Sequence, residues 1–588
     1  MRDDLLRRAA TFARPYLPRY VVGFALLLGT NGLSLWIPAL LREAIRAMER
    51  SVDLRVIGRF GVLMIAVAMA QAVVRTASRR TVLGASRRII YDLRNVFFAH
   101  LQRLGPSFYD TNRTGDIMSR AVNDVRLIQS LYGPCALNLM NTAIVYVAVL
   151  VLLLRIDVQL TLISLLLYPA LFFVVHRLSR RIYTRSLAVQ EQLALVSNRA
   201  QENISGIQQV KIFAQEERET AAFGELCDEY RRRNLSMAVL RGGMLALIGG
   251  ITGLAALIVL FVGGRYVIQG RFDFGDFVAF NAYLALLVWP TIALGWIINS
   301  IQRGAGAMRR VSEILAQQPD IVADPDPCPI VPDGDIEIRG LTFAYAVPPN
   351  ERSGKAPRAA LRDIHLTIPR GSRLALVGPV GSGKSTLADL LARSYPVPDG
   401  SIFIGGTDIN RIPLSALRRS IGYVPQEAFL FSRSLRENIA LGHPMATETQ
   451  VNEAVEMARL GADVGAFPQG LDTLVGERGS TLSGGQRQRA TLARALIGRP
   501  RLLILDDSLS SVDADTEQAI LQALHDRTRD HTLILISHRL STLAGMDRIV
   551  VLDAGSIVEQ GTHEELMALD GVYARLFRRH LLERKLTG

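Results

Sequence analysis

One constraint shapes the first half of this chain: a run of about 20 mostly apolar residues can cross a bilayer as a helix. Residues 21–41, 127–154, 158–175, 242–264 and 277–302 are such runs, or nearly so. A sixth, residues 60–74, is shorter and is flanked by Arg59 and Arg75. Long arginine side chains snorkel to the membrane interface, so this run also counts as a span. The reading is six membrane helices.

The links between these runs are uneven. Those after the first, third and fifth are short, and the third and fourth runs meet at Arg155-Ile156-Asp157, a tight hairpin. Residues 77–126 and 176–241 are instead long, polar and poor in Gly and Pro. About 30 helical residues reach roughly 45 Å. These segments therefore read as membrane helices continued far beyond the bilayer and turned back through a short element. Arg79-Arg80, Arg87-Arg88, Arg180-Arg181 and Arg231-Arg232-Arg233 lie on this side. The first short link also carries Arg42, Arg46, Arg50 and Arg55, partly balanced by Glu43, Glu49 and Asp53. Arginine counts alone thus leave the orientation open.

Composition fits a membrane part and a soluble part in one chain: of 588 residues, 49% are hydrophobic and 21% charged. A net charge of +13 could suit a nucleic-acid binder. The arginines crowd the links between apolar runs, however, as the positive-inside rule expects, and no nucleic-acid partner is inferred. Cys135, Cys227 and Cys328 lack metal-ligand spacing and make no disulfide framework. The basic start, from Arg2 to Arg19, resembles a leader, but residues 21–41 are too long for its apolar region and no small-residue cleavage site follows. This run is expected to stay as the first membrane helix.

From about residue 310 the pattern changes. Residues 317–334 are rich in Pro and Asp and read as a linker. They separate a membrane domain, 1–316, from a second domain, 335–588. There, short apolar runs at 374–377, 502–505, 533–536 and 549–552 alternate with helix-like segments, which predicts a parallel sheet covered on both faces. Residues 348–358 read as a polar insertion in a surface loop.

The second domain carries the chemistry. Gly378-Pro379-Val380-Gly381-Ser382-Gly383-Lys384-Ser385 fits G-x-x-x-x-G-K-[ST], after a strand and before a helix that opens at Thr386. The glycines let backbone N–H groups close around phosphates at a helix N-terminus. Lys384 is expected at the β- and γ-phosphates and Ser385 on Mg²⁺. Residues 502–505 then end in Asp506 and Asp507. Asp506 would hold the Mg²⁺ shell, and Asp507 stands where a general base or water-orienting group belongs. Leu482-Ser483-Gly484-Gly485-Gln486 opens another helix and makes a second anion-binding N-terminus. Because the first nucleotide already has a phosphate loop, this clamp is expected to serve a nucleotide held by another subunit.

With that signature the second domain resembles the ABC transporter ATPase, an α/β P-loop fold that binds ATP and Mg²⁺. The resemblance implies further roles. Tyr345 matches the aromatic that stacks on adenine. Gln426 matches the Q-loop glutamine that senses Mg²⁺ and the membrane domain, and His538 the switch histidine at the γ-phosphate. Residues 473–479 resemble the exporter-specific loop, and Ser511-Val512-Asp513 the D-loop. The first half resembles the six-helix membrane domain of type IV ABC exporters. Residues 108–116 and 209–218 resemble its two coupling turns, expected to dock on the ATPase domains. The implied protein is an integral membrane ATPase of a bacterial inner membrane, with its ATPase domain and both termini cytosolic.

One residue departs from the family pattern. A glutamate usually follows the Walker B aspartate, and here Asp507 is one methylene shorter. A general base works within about 2.6–3.2 Å of its target, and about 1 Å of misplacement can cost roughly 100-fold. With the other motifs intact, this resembles the subunit of a heterodimeric multidrug or lipid exporter whose own site hydrolyses weakly. The alternatives are a homodimer with two slowed sites, or a nucleotide-gated channel or regulator on the same fold. The implied partners are a second half-transporter, membrane lipid and a small amphiphilic or peptide substrate. Asn138, Asn141, Asn281, Trp289, Trp296 and Asn299 fall in the apolar runs. Each asparagine is read first as a helix–helix hydrogen bonder and second as a cavity lining.

Overall fold

Among the described residues, six continuous helical segments, Thr11–Glu49, Leu54–Leu101, Thr114–Ile156, Val158–Ser205, Glu216–Ile268 and Phe274–Leu315, are long and apolar enough to cross a membrane. They were traced in a computed structural model that describes residues 11–50, 54–322, 324, 326, 328, 331–346, 358–527 and 531–587. Two compact units result: one runs to Gln102 and from Gly115 to Gln317, and the other joins Arg103–Thr114 to the chain from Gln318 onward.

In the first unit, α1 (Leu17–Arg50) packs along α2 (Leu54–Leu101) through small residues. A Cβ on Gly23 would lie 2.4 Å from Val82 Cγ2, and the Ser78 hydroxyl donates to Gly23 O at 3.2 Å. Such close approach holds helices together where the surrounding lipid is as apolar as their side chains. The short second run is thus only the apolar part of a 48-residue helix, about 70 Å long. A short helix, α3 (Pro106–Thr111), follows it. The chain returns through π-helical turns at Arg120–Asp124 and Leu131–Cys135 into α4 (Ala136–Ile156). Asp157 closes the expected hairpin by accepting from Leu160 N–H at 2.8 Å, capping the next helix. A long helix, α5 (Leu167–Ser205), then runs to the second turn, α6 (Ile207–Ile212), and α7 (Glu216–Ile258) returns. The last membrane helix is α8 (Phe274–Leu315).

Two arginines of the first short link have a tertiary explanation. Arg42 pairs with Asp276 at 3.3 Å, and Arg46 with Asp273 at 2.7 Å and Asp276 at 2.8 Å. The charge is neutralised against the acidic first turn of α8, where negative groups also suit the helix dipole. Of the acids expected to balance it, Glu43 contacts both arginines, while Asp53 lies outside the described residues.

The described residues of the second unit form two sheets. The larger has the order β10 (Ser556–Gly561), β9 (Arg548–Asp553), β3 (Arg373–Val377), β8 (Thr532–Ile536), β7 (Leu502–Asp506), β6 (Ile421–Val424). All neighbours are parallel except the edge strand β10. Alternate residues feed opposite cores: Leu503 and Leu505 pack on one face of β7, Leu502 and Ile504 on the other. Helices cover both faces, so these strands read as unbroken apolar runs. The smaller sheet is antiparallel: β2 (Leu361–Ile368), β1 (Ile336–Phe343), β4 (Ile402–Ile404), β5 (Thr407–Asp408). It went unread in the sequence because β2 alternates buried and exposed residues and is short of apolar signal. The insertion at 348–358 lies outside the described residues except for Arg358.

Candidate nucleotide site

The phosphate-loop sequence sits at the C-terminal end of β3 and leads into α9 (Lys384–Leu391). Its glycines are required by the space around them. At Gly378, with φ of 151°, a Cβ would lie 2.0 Å from Leu552 O; at Gly383, with φ of 101°, it would lie 2.8 Å from Ala360 O. Val380 is fully exposed at the loop tip and Gly381 has open space around it, while Ser382 is buried. Lys384 is buried, and its ammonium donates to Gly378 O and Pro379 O, both at 2.8 Å, and to Ser382 Oγ at 3.4 Å. Burial lowers its pKa, opposed by the nearby Asp506 and Asp507.

Asp506 ends β7 with 3% exposure. Burial raises its pKa, while a hydrogen bond from Ser385 and the charges of Lys384 and His538 lower it. This is a carboxylate short of positive charge beside a hydroxyl, a hard-oxygen pair that suits a divalent cation. Among the described residues no group of three His, Cys, Asp or Glu could hold a metal by itself. Such an ion would have to share its shell with phosphate and water, as Mg²⁺ commonly does.

Asp507 turns away from the strand. Its N–H donates to Ile536 O at 2.8 Å, and its φ is +43°, a left-handed conformation that Asp tolerates better than most residues. Gln426 lies two residues past β6 and His538 two past β8, both exposed. Parallel pairing of Val424 with Leu505 and Asp506 with Ile536 brings Gln426, Asp507 and His538 to the same edge. Ligands of open α/β sheets bind at this carboxyl edge.

Tyr345 stands beside the phosphate loop. Its hydroxyl donates to Thr386 Oγ1 at 2.9 Å, and its ring meets Tyr395 edge-on at 5.1 Å. The Tyr395 hydroxyl in turn donates to Asp110 Oδ2 at 2.8 Å. Asp110 belongs to α3, the first of the two turns, which is part of this unit. Ser107 of the same turn donates to Asp320.

The signature opens α10 (Gly484–Leu496). Ser483 Oγ accepts from Gln486 N–H at 3.2 Å, and Gln486 Oε1 accepts from Ser483 N–H at 2.9 Å, a reciprocal cap. Gln486 also donates to Asp463 at 3.0 Å. Gly484 and Gly485 lie against Ser511: added Cβ atoms would come within 3.2 Å of its Cβ and 3.0 Å of its carbonyl. Among the described residues these groups form no hydrogen bond with the phosphate loop of the same chain.

Three residues that bind this assembly together escaped the sequence reading. Gln488 donates to Ser510 Oγ at 3.1 Å and accepts from Ser511 N–H at 2.8 Å. Arg539, next to His538, donates to Ser510 O at 2.8 Å and Val512 O at 2.7 Å, and pairs with the buried Glu517 of α11 (Ala514–Arg527). The segments bearing Ser483, Ser511 and His538 are therefore one network. No spacing announced it, since each partner is distant in sequence and paired only by folding.

This fold and site agree with comparison to known proteins. The family model for the ABC transporter transmembrane region matches residues 20–291, and that for the ABC transporter matches residues 361–510. The "Probable multidrug resistance ABC transporter ATP-binding/permease protein YheI" of Bacillus subtilis is 34% identical, covering 98% of each chain. The "ATP-dependent lipid A-core flippase" of Syntrophus aciditrophicus is 34% identical, covering 99% of this chain and 96% of its own. A solved bacterial Atm1-family ABC exporter with ATP bound superposes with a TM-score of 0.80 at 28% identity, over 96% of this chain and 99% of that one. The chain belongs to the ABC transporter family, as an exporter half with its six-span membrane domain and its ATPase fused in one polypeptide.

Proposed function

We propose that this chain exports an amphiphilic drug, lipid or peptide as one subunit of a heterodimer whose site at its own Walker motifs hydrolyses ATP weakly. The observation that carries this reading is Asp507. Its short side chain starts from a left-handed backbone pinned to Ile536, so it has neither the length nor the freedom to reach as a glutamate would. The relatives' names, one a multidrug protein and one a lipid flippase, support the substrate range.

In this reading Gly378, Pro379, Val380, Gly381, Ser382 and Gly383 cradle phosphates, Lys384 moves from the loop carbonyls to the β- and γ-oxygens, and Thr386 and Tyr345 flank the nucleotide. Ser385, Asp506 and Gln426 would hold Mg²⁺, which neutralises phosphate charge when bound. Asp507 and His538 orient water and γ-phosphate. Ser483, Gly484, Gly485 and Gln486 complete the partner's site. The nucleotide side faces the cytosol, where ATP is. Exposed Ile207, Ile212 and Phe213 at the second turn support docking on a partner, since apolar groups there are otherwise left in water.

The purified chain is expected to hydrolyse ATP slowly, and co-expression with a partner half-transporter that carries the glutamate to raise the rate at least about tenfold. Equal rates for the chain alone and for any mixed complex would instead support a homodimer.

A further inference from the structure

We propose that the membrane domain holds a site for an anionic amphiphile, with Arg75 and Arg79 taking its negatively charged headgroup. The export reading above gives this site its place in transport, and the binding itself stands apart from it. A cavity of about 190 Å³ opens between α1, α2, α4 and α8. Gln71, Arg75 and Arg79 recur every fourth residue of α2, which puts them on one helical stripe, and all three line this cavity. Neither arginine has a carboxylate partner among the described residues.

The neighbouring amides are partly committed. Asn31 donates to Leu27 O at 2.9 Å and to Asn141 Oδ1 at 3.1 Å, and Asn138 donates to Pro134 O at 2.8 Å. The arginines are the cationic donors of this lining, and neither is held by a carboxylate among the described residues. Leu35, Val145, Leu286 and Trp289 supply an apolar wall. The apolar run of α2 ends at Val74, so the guanidinium groups stand where hydrocarbon gives way to the interface. An amphiphile can lay its chain along the wall while its anion meets both arginines.

A second cavity, about 830 Å³, repeats the sign of the charge. Arg180, Arg303 and Arg310 line it with His176 and Asn299. Arg310 is neutralised by Asp124, while Arg180 and Arg303 have no carboxylate partner among the described residues. No Asp or Glu among the described residues lines either cavity. Walls of one sign in a low-dielectric setting concentrate the opposite ion, so these cavities favour anions and repel lipophilic cations.

The full chain, purified in a neutral maltoside detergent without nucleotide, would be titrated with four probes: lauroyl lysophosphatidylglycerol, lauroyl lysophosphatidylcholine, dodecyltrimethylammonium and inorganic phosphate. Tryptophan fluorescence reports binding, because Trp289 lines the cavity. The phosphatidylglycerol probe is expected to bind about 100-fold tighter than the phosphatidylcholine one, about tenfold for each charge-assisted arginine contact. Arg75→Gln with Arg79→Gln abolishes that preference and leaves phosphatidylcholine binding unchanged. Arg75→Lys with Arg79→Lys keeps most of it, which separates charge from misfolding, and Arg80→Gln, outside the cavity lining, changes nothing. Equal binding of the zwitterionic or cationic probe, or a preference that survives the double glutamine variant, overturns the anionic site. Inorganic phosphate binding as tightly as the lipid overturns the amphiphile. A chain that shows the preference but does not export in vesicles defeats only the export reading; one that exports without the preference defeats only this site.

Discussion

At the scale of single residues, Asp507 and Asp389 are the informative carboxylates. Asp507→Glu restores length at a position where the backbone φ is +43°. A longer residue is less at ease there, by up to about 1 kcal/mol. General-base placement is worth roughly 100- to 10,000-fold when complete. A rise of at least about tenfold in single-site hydrolysis is therefore expected, with a small loss in Tm; a fall in rate with the fold intact would mean that Asp507 is already well placed. Asp389, in the helix after the phosphate loop, has its pKa raised from 3.8 to about 6, chiefly by burial, against a lowering hydrogen bond from Tyr423. A raised carboxylate favours folding in its neutral form, so its contribution is full below pH 3.8 and is lost as pH climbs through about 6. The Tm of the parent should fall more between pH 4.5 and pH 7 than that of Asp389→Asn, by thermal scanning of the full chain in both buffers. Identical pH slopes would show that burial does not perturb Asp389.

At the scale of elements, the first turn is joined to the nucleotide site by a short relay. Asp110 of α3 accepts from Tyr395, and Tyr395 meets the edge of Tyr345. Tyr395→Phe keeps the ring contact and removes the hydroxyl. Nucleotide affinity is expected to stay within about twofold, because a net hydrogen bond far from the phosphates is worth only about 1 kcal/mol. On the reading that the turns carry the transport signal to the ATPase, stimulation of hydrolysis by substrate should drop severalfold. Unchanged stimulation in reconstituted vesicles would remove Tyr395 from the relay.

At the scale of the whole molecule, the prediction is an asymmetry between motifs of one chain. Gly484 is half-buried at the head of α10 beside Ser511, where an added Cβ meets Ser511 within 3.3 Å. Gly484→Asp adds both bulk and a negative charge where a partner's γ-phosphate would approach. On the proposed reading, Asp507→Asn disables a site that contributes little turnover. In one reconstituted complex, Gly484→Asp should lower ATP hydrolysis and uptake at least about tenfold, and Asp507→Asn less than about threefold. Loss of both activities in Asp507→Asn with Gly484→Asp unimpaired reverses the assignment of strong and weak sites.

The amino-acid sequence alone determined what depends on neighbours along the chain. Span length, the phosphate-loop glycines, the apolar strand ending in Asp506, and the Ser483–Gln486 spacing are local patterns, and each imposes its backbone by short-range sterics and hydrogen bonding. Folding decided what depends on distant partners. Arg42 and Arg46 looked like an exception to charge placement until Asp273 and Asp276 met them. Of the asparagines in the apolar runs, Asn141 joins Asn31 across two helices, Asn138 and Asn281 bond back along their own, and Asn299 lines a cavity. The left-handed turn at Asp507 and the Gln488–Ser510–Arg539–Glu517 network were likewise invisible beforehand. A side chain's partner is chosen by which elements pack together, and packing is a property of the whole apolar pattern rather than of any residue's own surroundings in sequence.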